Sequence, residues 1–229
     1  MSMVTTSPTG RPLRADAARN RLLILDAARE VFAEQGLDVT LADVAEHAGL
    51  GVGTVYRRFA SKDELVDAVF ERFFQDMADA AERALAAADP WDALTEFFEF
   101  AGAHMAVNKG LVDVMAGADQ GCAQLTGQRP RVESAIGELF ARAQSAGELR
   151  ADAEPSDFFA LIYMVGTMAE FAQPVNPDAW RRYLALILDG LRDPRFARPD
   201  LPAAALTPDE VDRARQHLQG RRRHIRRGD

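Results

Sequence analysis

The stretch "AGLGVGTVYRRF" (residues 48–59) places three glycines in five positions and then becomes basic and aromatic. Such a stretch is either a glycine-rich loop that binds a phosphate or a tight turn between two helices. A dinucleotide-binding loop follows a buried β-strand, whereas residues 41–48 have the apolar spacing of a short amphipathic helix. We therefore interpret the glycines as the turn of a helix-turn-helix. A dinucleotide-binding site also has an acidic residue about 20 residues after the glycine loop. Glu71 stands at about that distance, but it falls in the middle of a predicted helix and not at the end of a strand.

Helical spacing continues on both sides of this turn. The first helix has an apolar stripe over residues 24–32 and ends at Gly36. Thr40 is the first residue of a Thr-x-x-Asp motif, which is typical of a helix start and predicts the second helix. The third helix is predicted from about Val52 to Arg58. A Ser-x-x-Glu capping box at Ser61 opens a long fourth helix that reaches roughly residue 88.

The rest of the chain also predicts helices and no sustained strand pattern. Helical stretches are expected near 91–107, 109–117, 128–146, 156–172 and 177–192. A Pro-rich linker then leads to a last short helix that starts near Pro208. The predicted fold class is all-α, with a three-helix N-terminal domain joined by a long helix to a larger helical domain.

The net charge of −8 over 229 residues at first argues against a nucleic-acid partner. The acidic excess lies in residues 63–219, which hold 14 basic and 27 acidic residues. Between Val52 and Lys62 there are three basic residues and no acidic one. Because screening limits the range of a charge to about 10 Å at 0.1 M salt, local charge decides whether DNA is bound. The overall acidity therefore does not exclude DNA binding.

Several features predict a soluble, cytoplasmic protein. Cys122 is the single cysteine, so no intramolecular disulfide can form. The N-terminal residues carry no apolar core of signal-peptide length. The most apolar stretch, residues 158–172, is shorter than a membrane span and contains Glu170. We expect no membrane association.

The predicted third helix has two different sides. Four apolar residues at helical spacing are expected to pack on the first two helices: Val52, Val55, Tyr56 and Phe59. The other side carries small residues, which permit close approach to base edges, and two arginines suited to guanine or phosphate: Gly53, Thr54, Arg57 and Arg58. A small core helix with a solvated basic face remains the alternative interpretation.

Residues 18–65 resemble the DNA-binding domain of the TetR family of bacterial transcriptional regulators. The similarity rests on "ILDAA…F…G", then "T…DVA…AG", and then "G…YRRF…SKDEL". The resemblance implies that the helix at 52–58 enters the major groove. It implies that Val52, Gly53, Thr54, Arg57 and Arg58 face bases or nearby backbone, and that Thr40, Tyr56 and Lys62 hold phosphates. Gly51 departs from the family pattern, in which Ser often caps this helix, and Val52 stands where a polar residue is common.

The resemblance also implies a domain organisation and a homodimer. We predict a flexible arm (1–17), the DNA-binding domain (18–65), a ligand-binding and dimerisation domain (66–192), and a linker, short helix and basic tail (193–229). The helix at 158–172 is apolar almost all round, which requires burial on two sides. One side is expected in the core and the other against a second subunit, with Ile162 and Val165 at the interface. A buried monomeric helix is the alternative.

A small, largely apolar effector is the expected ligand of the larger domain. Its pocket is predicted among aromatic and methionine side chains, each of which is individually more often ordinary core: Phe97, His104, Met105, Phe140, Met164 and Met168. No metal-ligand spacing, nucleophile elbow or phosphate-binding loop occurs, so we expect no enzyme, cofactor or metal.

The predicted function is a DNA-binding transcriptional regulator, a ligand-responsive repressor that binds a palindromic DNA operator as a homodimer. The alternative is a DNA-architectural protein without effector sensing. The basic tail at 220–229 is expected to be a disordered end, or else an auxiliary clamp on phosphates.

Overall fold

The computed structural model describes residues 11–107, 129–196 and 200–225. The predicted helix at 109–117 and Cys122 lie outside the described residues. Over the described ranges the fold is all-α, as predicted. Its helices are α1 (Arg11–Gln35), α2 (Leu41–His47), α3 (Val52–Tyr56), α4 (Lys62–Leu85), α5 (Pro90–Val107), α6 (Arg129–Ser145), α7 (Asp157–Ala172), α8 (Ala179–Leu191) and α9 (Pro208–Ile225).

The chain divides into two compact units, Met1–Val69 and Phe70–Asp229. The first unit begins its helical structure at Arg11, inside the segment 1–17 for which we expect a flexible arm. Pro12 is compatible with this start because the first turn of a helix needs no backbone N–H from its residues. The residues that follow, Leu-Arg-Ala-Asp-Ala-Ala-Arg, are mostly good helix formers.

The core of the first unit is formed by one apolar face from each of its short elements. Ile24, Ala28 and Val31 of α1 are at most 1% exposed. The remaining core residues come from α2, α3, the segment after α3 and the start of α4. They are Val44, Ala45, Val55, Phe59 and Leu65, all similarly buried. Apart from Leu65, these residues belong to the stripes that the helical spacing predicts.

A capping box starts α2. The Thr40 hydroxyl oxygen accepts from the Asp43 backbone N–H at 3.3 Å, and the Thr40 backbone N–H donates to the Asp43 carboxylate at 2.7 Å. The hydrogen bond from the Thr40 backbone, followed by that from its hydroxyl, lowers the pKa of Asp43. Two backbone donors at the helix start are thereby satisfied.

In the second unit α5 packs against α6, α7 and α8. Aromatic side chains join these helices: the rings of Phe97 and Phe158 stack with centroids 4.9 Å apart, and Phe98 lies 6.4 Å from Phe140. All four rings are at most 3% exposed. Burial of this aromatic cluster supplies the apolar core of the unit.

The face of α7 that we expected at a subunit interface lies inside the chain. Ile162 and Val165 are 5% and 1% exposed, and both lie in the core of the chain itself. Their assignment to a subunit interface is wrong. Met164, between them, is 52% exposed and lies on the opposite side of the helix. An apolar helix gives no sequence contrast between its faces, so only packing shows which face is inside.

The C-terminal segment of the second unit packs against α7 and α8 of the same unit. The Arg182 guanidinium donates to the Ala203 carbonyl at 2.7 Å, and α9 contacts α7. The α9 helix begins at the predicted Pro208 but is 18 residues long and includes residues 220–225, which we expected to be disordered. Ala214 is fully buried, which shows that the start of α9 has a packed face.

None of the helices in the described part of the chain combines the length and apolar character needed to cross a membrane.

A close contact between α5 and α8 leads to a stability prediction. A Cβ added at Gly102 would lie 2.8 Å from Cζ3 of Trp180, a ring that is 3% exposed. We expect Gly102→Ala to lower the free energy of unfolding by about 1–3 kcal/mol because the indole must move in a packed core. Thermal unfolding followed by circular dichroism measures the change.

Gly137→Ala is the matched control, since Gly137 is also inside a helix and a Cβ there would meet nothing within 4 Å. Helix propensity alone should make that variant more stable, by up to about 1 kcal/mol. Equal effects of the two substitutions would contradict the steric argument.

Candidate DNA-binding site

The turn between α2 and α3 is closed by backbone hydrogen bonds. The Gly49 N–H donates to the Glu46 carbonyl at 3.1 Å and the Leu50 N–H donates to the Ala45 carbonyl at 2.9 Å. Gly49 has a φ of +65°, which residues with a side chain rarely adopt. This Schellman arrangement ends α2 and redirects the chain into α3 within four residues, 48–51. The interpretation of the glycine stretch as a turn is thus confirmed.

The first turn of α3 has no side-chain cap. Gly51 is the N-cap residue, and its carbonyl accepts from the Thr54 N–H at 2.7 Å. A Cβ at Gly51 would lie 4.0 Å from the Thr54 hydroxyl, so a larger residue fits there. The exposed N–H groups at this end are available to a phosphate oxygen.

Two apolar side chains hold α3 in the core. Val55 is fully buried and Phe59, just beyond the helix, is 1% exposed. The Arg21 guanidinium of α1 lies 5.5 Å from the centre of the Phe59 ring, which adds a cation–π contact. The helix is only five residues long, so these contacts fix its direction.

The remaining residues of α3 face outward, and two of them were expected to be inside. Val52 is 43% exposed and Tyr56 is 55% exposed, so the prediction that both pack on the first two helices is wrong. At 3.6 residues per turn they are rotated from Val55 by about 60° and 100°. Because α3 ends at Tyr56, the core contact is completed by Phe59 and not by a continuous stripe.

Arg57 and Arg58 extend this outward surface beyond the end of α3. Both side chains are exposed, as is Gly53 near the start of the helix. An Arg57 guanidinium nitrogen donates to the Thr54 hydroxyl at 3.1 Å, which orients that arginine along the helix. We call the set Val52, Gly53, Thr54, Tyr56, Arg57 and Arg58 the α3 outer face.

The two predicted phosphate contacts outside α3 have structural partners. Thr40 is engaged in the capping box of α2, and its backbone N–H and hydroxyl both bond Asp43. The Lys62 ammonium donates to the Leu37 carbonyl, in the turn between α1 and α2. A lysine ammonium has three donors, so this bond leaves others for a phosphate.

Sequence reasoning missed the connections between α1 and the other elements of this unit. His47 and Glu30 are 2.7 Å apart and link α2 to α1. The Lys62–Leu37 contact spans 25 residues of sequence. Neither pair has a local sequence signal, because the residues meet only after the helices pack.

Two families match the chain in separate ranges. Residues 24–69 match the tetR family of bacterial regulatory proteins, and residues 89–193 match the C-terminal domain of SbtR-like transcriptional regulators. The first range contains α2, the turn, α3 and the α3 outer face. The second contains α5 to α8.

Solved structures extend the similarity to most of the chain. A TetR transcription regulatory protein from Mycobacterium vanbaalenii is 37% identical with a TM-score of 0.59, and the match covers 80% of this chain and 100% of that one. The chain belongs to the TetR family. The TetR transcriptional regulator SCO0520 from Streptomyces coelicolor is 31% identical with a TM-score of 0.57, covering 76% of this chain and 99% of the other.

Curated relatives match over shorter ranges. An HTH-type transcriptional regulator of Staphylococcus aureus is 36% identical over 84 residues, which is 35% of this chain and 44% of that protein. The uncharacterized regulator YhgD of Bacillus subtilis is 35% identical over 88 residues, 36% of this chain and 46% of YhgD. The matches thus cover less than half the length of these two curated relatives.

The residues predicted to bind an effector in this TetR-family chain are only partly brought together. Phe97, Met105 and Phe140 are at most 2% exposed in the core of the second unit. His104 is half-buried, with Nδ1 3.1 Å from the Phe100 carbonyl and its ring 4.2 Å from the Phe100 ring. Met168 is also half-buried.

Met164 does not join the buried members of this set, because it is 52% exposed. A cavity of about 290 Å³ in the second unit is lined by none of the six residues. In the described ranges no group of three or more His, Cys, Asp or Glu residues is placed to hold a metal ion.

The Gly49 turn generates a prediction for this TetR-type domain. We expect Gly49→Ala to destabilise the first unit by about 1–2 kcal/mol, because an L side chain is disfavoured at a φ of +65°. We expect Gly51→Ser to stabilise α3 by a few tenths of a kcal/mol through a new N-cap. Urea unfolding followed by circular dichroism measures both changes.

The control for conformation is Gly53→Ala, since a Cβ there meets nothing within 4 Å and Gly53 has no positive φ. A Gly49→Ala variant as stable as the wild type would rule out the proposed role of the turn.

Proposed function

We propose that this chain is a sequence-specific DNA-binding transcriptional regulator that acts in the cytoplasm as a ligand-responsive repressor. The observation that carries the proposal is the α3 outer face. A helix of five residues is held by Val55 and Phe59 so that its other side chains, with two arginines, project from the unit. A short, basic, narrow element that projects in this way would fit the major groove of DNA, which supports the proposal.

The contacts expected from the α3 outer face follow from its chemistry. Arg57 and Arg58 suit the two acceptors of guanine or a phosphate. Val52 offers an apolar contact to a thymine methyl group and no hydrogen bond. Thr40, Tyr56 and Lys62 would bind phosphates on either side and fix the register of the helix in the groove.

A homodimer is proposed from the surface that α7 and α8 leave exposed. These two helices pack together, and each has a large apolar side chain on the surface: Met164 is 52% exposed and Leu186 is 45% exposed. A second copy would bury both. Two copies of α3 would then meet a palindromic operator whose half-sites are about 34 Å apart or a multiple of that distance.

Effector sensing is proposed for the second unit. A small, largely apolar molecule would bind among Phe97, His104, Met105, Phe140, Met164 and Met168, with Met164 on the surface of the single chain. Release of DNA requires that the ligand bind one dimer geometry more tightly than the other. A thermal-shift screen of metabolites, followed by titration of operator DNA, tests this proposal; a coupling of about 1–3 kcal/mol would lower DNA affinity 5–150-fold.

The first functional prediction separates base reading from phosphate binding. We expect Arg58→Ala to relax the preference at one base pair by about 1–3 kcal/mol. We expect Lys62→Ala to weaken binding to all sequences equally and to reduce the salt slope by about 1. Fluorescence anisotropy with a selected operator and its single-base variants, at several salt concentrations, measures both effects.

Arg29→Ala is the charge-matched control, because Arg29 is exposed on α1 and is not part of the α3 outer face. It should leave both preference and salt slope unchanged. The same sequence-independent loss in the Arg58 and Lys62 variants would refute base reading by Arg58. A wild-type protein that binds all DNA sequences alike would favour the architectural alternative.

The second functional prediction concerns the dimer. Met164→Glu combined with Leu186→Glu should give folded monomers with much weaker operator binding, because two charges would be buried in the interface. Sedimentation velocity gives the mass, and circular dichroism confirms the fold. Val107→Glu, at a residue that is 66% exposed at the end of α5, is the matched control and should remain dimeric.

Ile162→Glu should behave differently from these surface changes, because it places a charge in the core and lowers the thermal midpoint. A Met164→Glu/Leu186→Glu variant that is still dimeric would show that the interface lies elsewhere.

A further inference from the structure

One hydrogen bond joins two side chains of the α3 outer face. An Arg57 guanidinium nitrogen donates to the Thr54 hydroxyl oxygen at 3.1 Å. Thr54 is half-buried, whereas Arg57 is exposed. Because threonine is branched at Cβ, its side chain has few rotamers, while arginine has many. The stiffer side chain therefore holds the more mobile one.

This bond determines where the Arg57 guanidinium lies along α3. Arg57 is the C-cap residue of the helix, and a long side chain at a helix end can extend into solvent. The bond to Thr54 instead keeps the guanidinium over the middle of α3, in the direction in which helical side chains lean. In helix-turn-helix proteins the N-terminal part of the recognition helix contacts base edges. The positive charge of Arg57 is thus directed toward the part of α3 that would meet bases.

The bond leaves Arg57 able to bind a base at the same time. A guanidinium group has five N–H donors in a rigid fork. The bonded nitrogen carries two hydrogens that belong to different edges of the fork, so one bond to Thr54 leaves the other edge complete. Two donors on one edge match the O6 and N7 acceptors of guanine.

Arg58 offers a comparison within the same face. Its side chain is exposed and forms no hydrogen bond or ion pair with another residue in the ranges that the structure describes. Such a side chain loses more conformational freedom when it binds DNA than one that is already ordered. Arg57 is therefore the better preorganised of the two arginines.

We propose that Thr54 is a positioning residue for base reading: its hydroxyl holds Arg57 so that the free edge of the guanidinium binds a guanine in the major groove. The inference rests on the proposed function, because it needs a DNA site that the chain distinguishes by sequence. Arg58 makes its own contact and is not held by Thr54.

The positioning itself is measured in the full chain without DNA. The heteronuclear Overhauser effect of each arginine Nε–H group reports the rigidity of that side chain on the ps–ns timescale. We expect a larger value for Arg57 than for Arg58. Thr54→Val should reduce the Arg57 value to that of Arg58, and Thr54→Ser, which retains the hydroxyl, should preserve it. Equal values for the two arginines in the wild type would overturn the proposal.

A double-mutant cycle on DNA tests the functional part. The probe is the duplex that the wild-type chain selects from a random-sequence pool, together with its single-base variants. Arg57→Ala should relax the preference at one base pair, and Thr54→Val should relax it at the same base pair by about threefold to tenfold. In the Arg57→Ala background, Thr54→Val should change affinity by less than about twofold, because the side chain that it positions is gone.

Arg58→Ala is the matched control for this cycle. Thr54→Val and Arg58→Ala should act on different base pairs and their effects should add, since Thr54 bonds Arg57 and not Arg58. Thr54→Val removes no charge, so the salt slope should stay that of the wild type. Thermal unfolding is compared for every variant, and Thr54→Ala takes the place of a valine variant that unfolds.

The failure of this inference and the failure of the proposed function give different results. Additive effects of Thr54→Val and Arg57→Ala on a preferred sequence would overturn the inference alone. An equal loss on all sequences in the Thr54→Val variant would do the same. A pool that yields no preferred sequence would overturn the proposed function and, with it, base reading by Arg57.

Discussion

The burial of Val55 and Phe59 is the constraint on which the α3 outer face depends. An isolated helix of five residues has almost no stability in water, because forming its first turn fixes several residues for one hydrogen bond. The direction of α3 is therefore set by what it buries and by the turn that precedes it. Both sides of the helix are constrained: a change on the buried side moves every residue of the α3 outer face.

The elements of the first unit could be predicted because their signals are local. Thr40 and Asp43 stand three residues apart and form the predicted capping box, and Gly49 stands at the predicted helix end. The exposure of Val52 and Tyr56 could not be predicted from spacing, because α3 is too short for a stripe to define one face. The resemblance to the TetR family gave the better expectation for Val52 and Tyr56, as residues directed outward.

The second unit shows why non-local contacts escape such reasoning. The sequence of α7 contains apolar residues on every side, so nothing distinguishes Val165, in the core, from Met164, on the surface. Likewise nothing in the sequence indicates that a side chain at Gly102 would collide with Trp180, because the two residues meet only when the helices pack. The cavity beside that ring depends on residues from α5, α8 and the C-terminal segment, which are distant in sequence.

Some parts of this structure lie in the ranges that match known families, and others lie outside those ranges. The two matched ranges, 24–69 and 89–193, contain the helix-turn-helix and the aromatic core of α5 to α8. Asp200 and Pro202, which line the cavity, and α9, which packs on α7, lie beyond both ranges. The matched ranges supply the walls of the cavity, and a segment outside them supplies Asp200 and Pro202 at its edge. The lining of the cavity is therefore determined in part by residues that neither matched range contains.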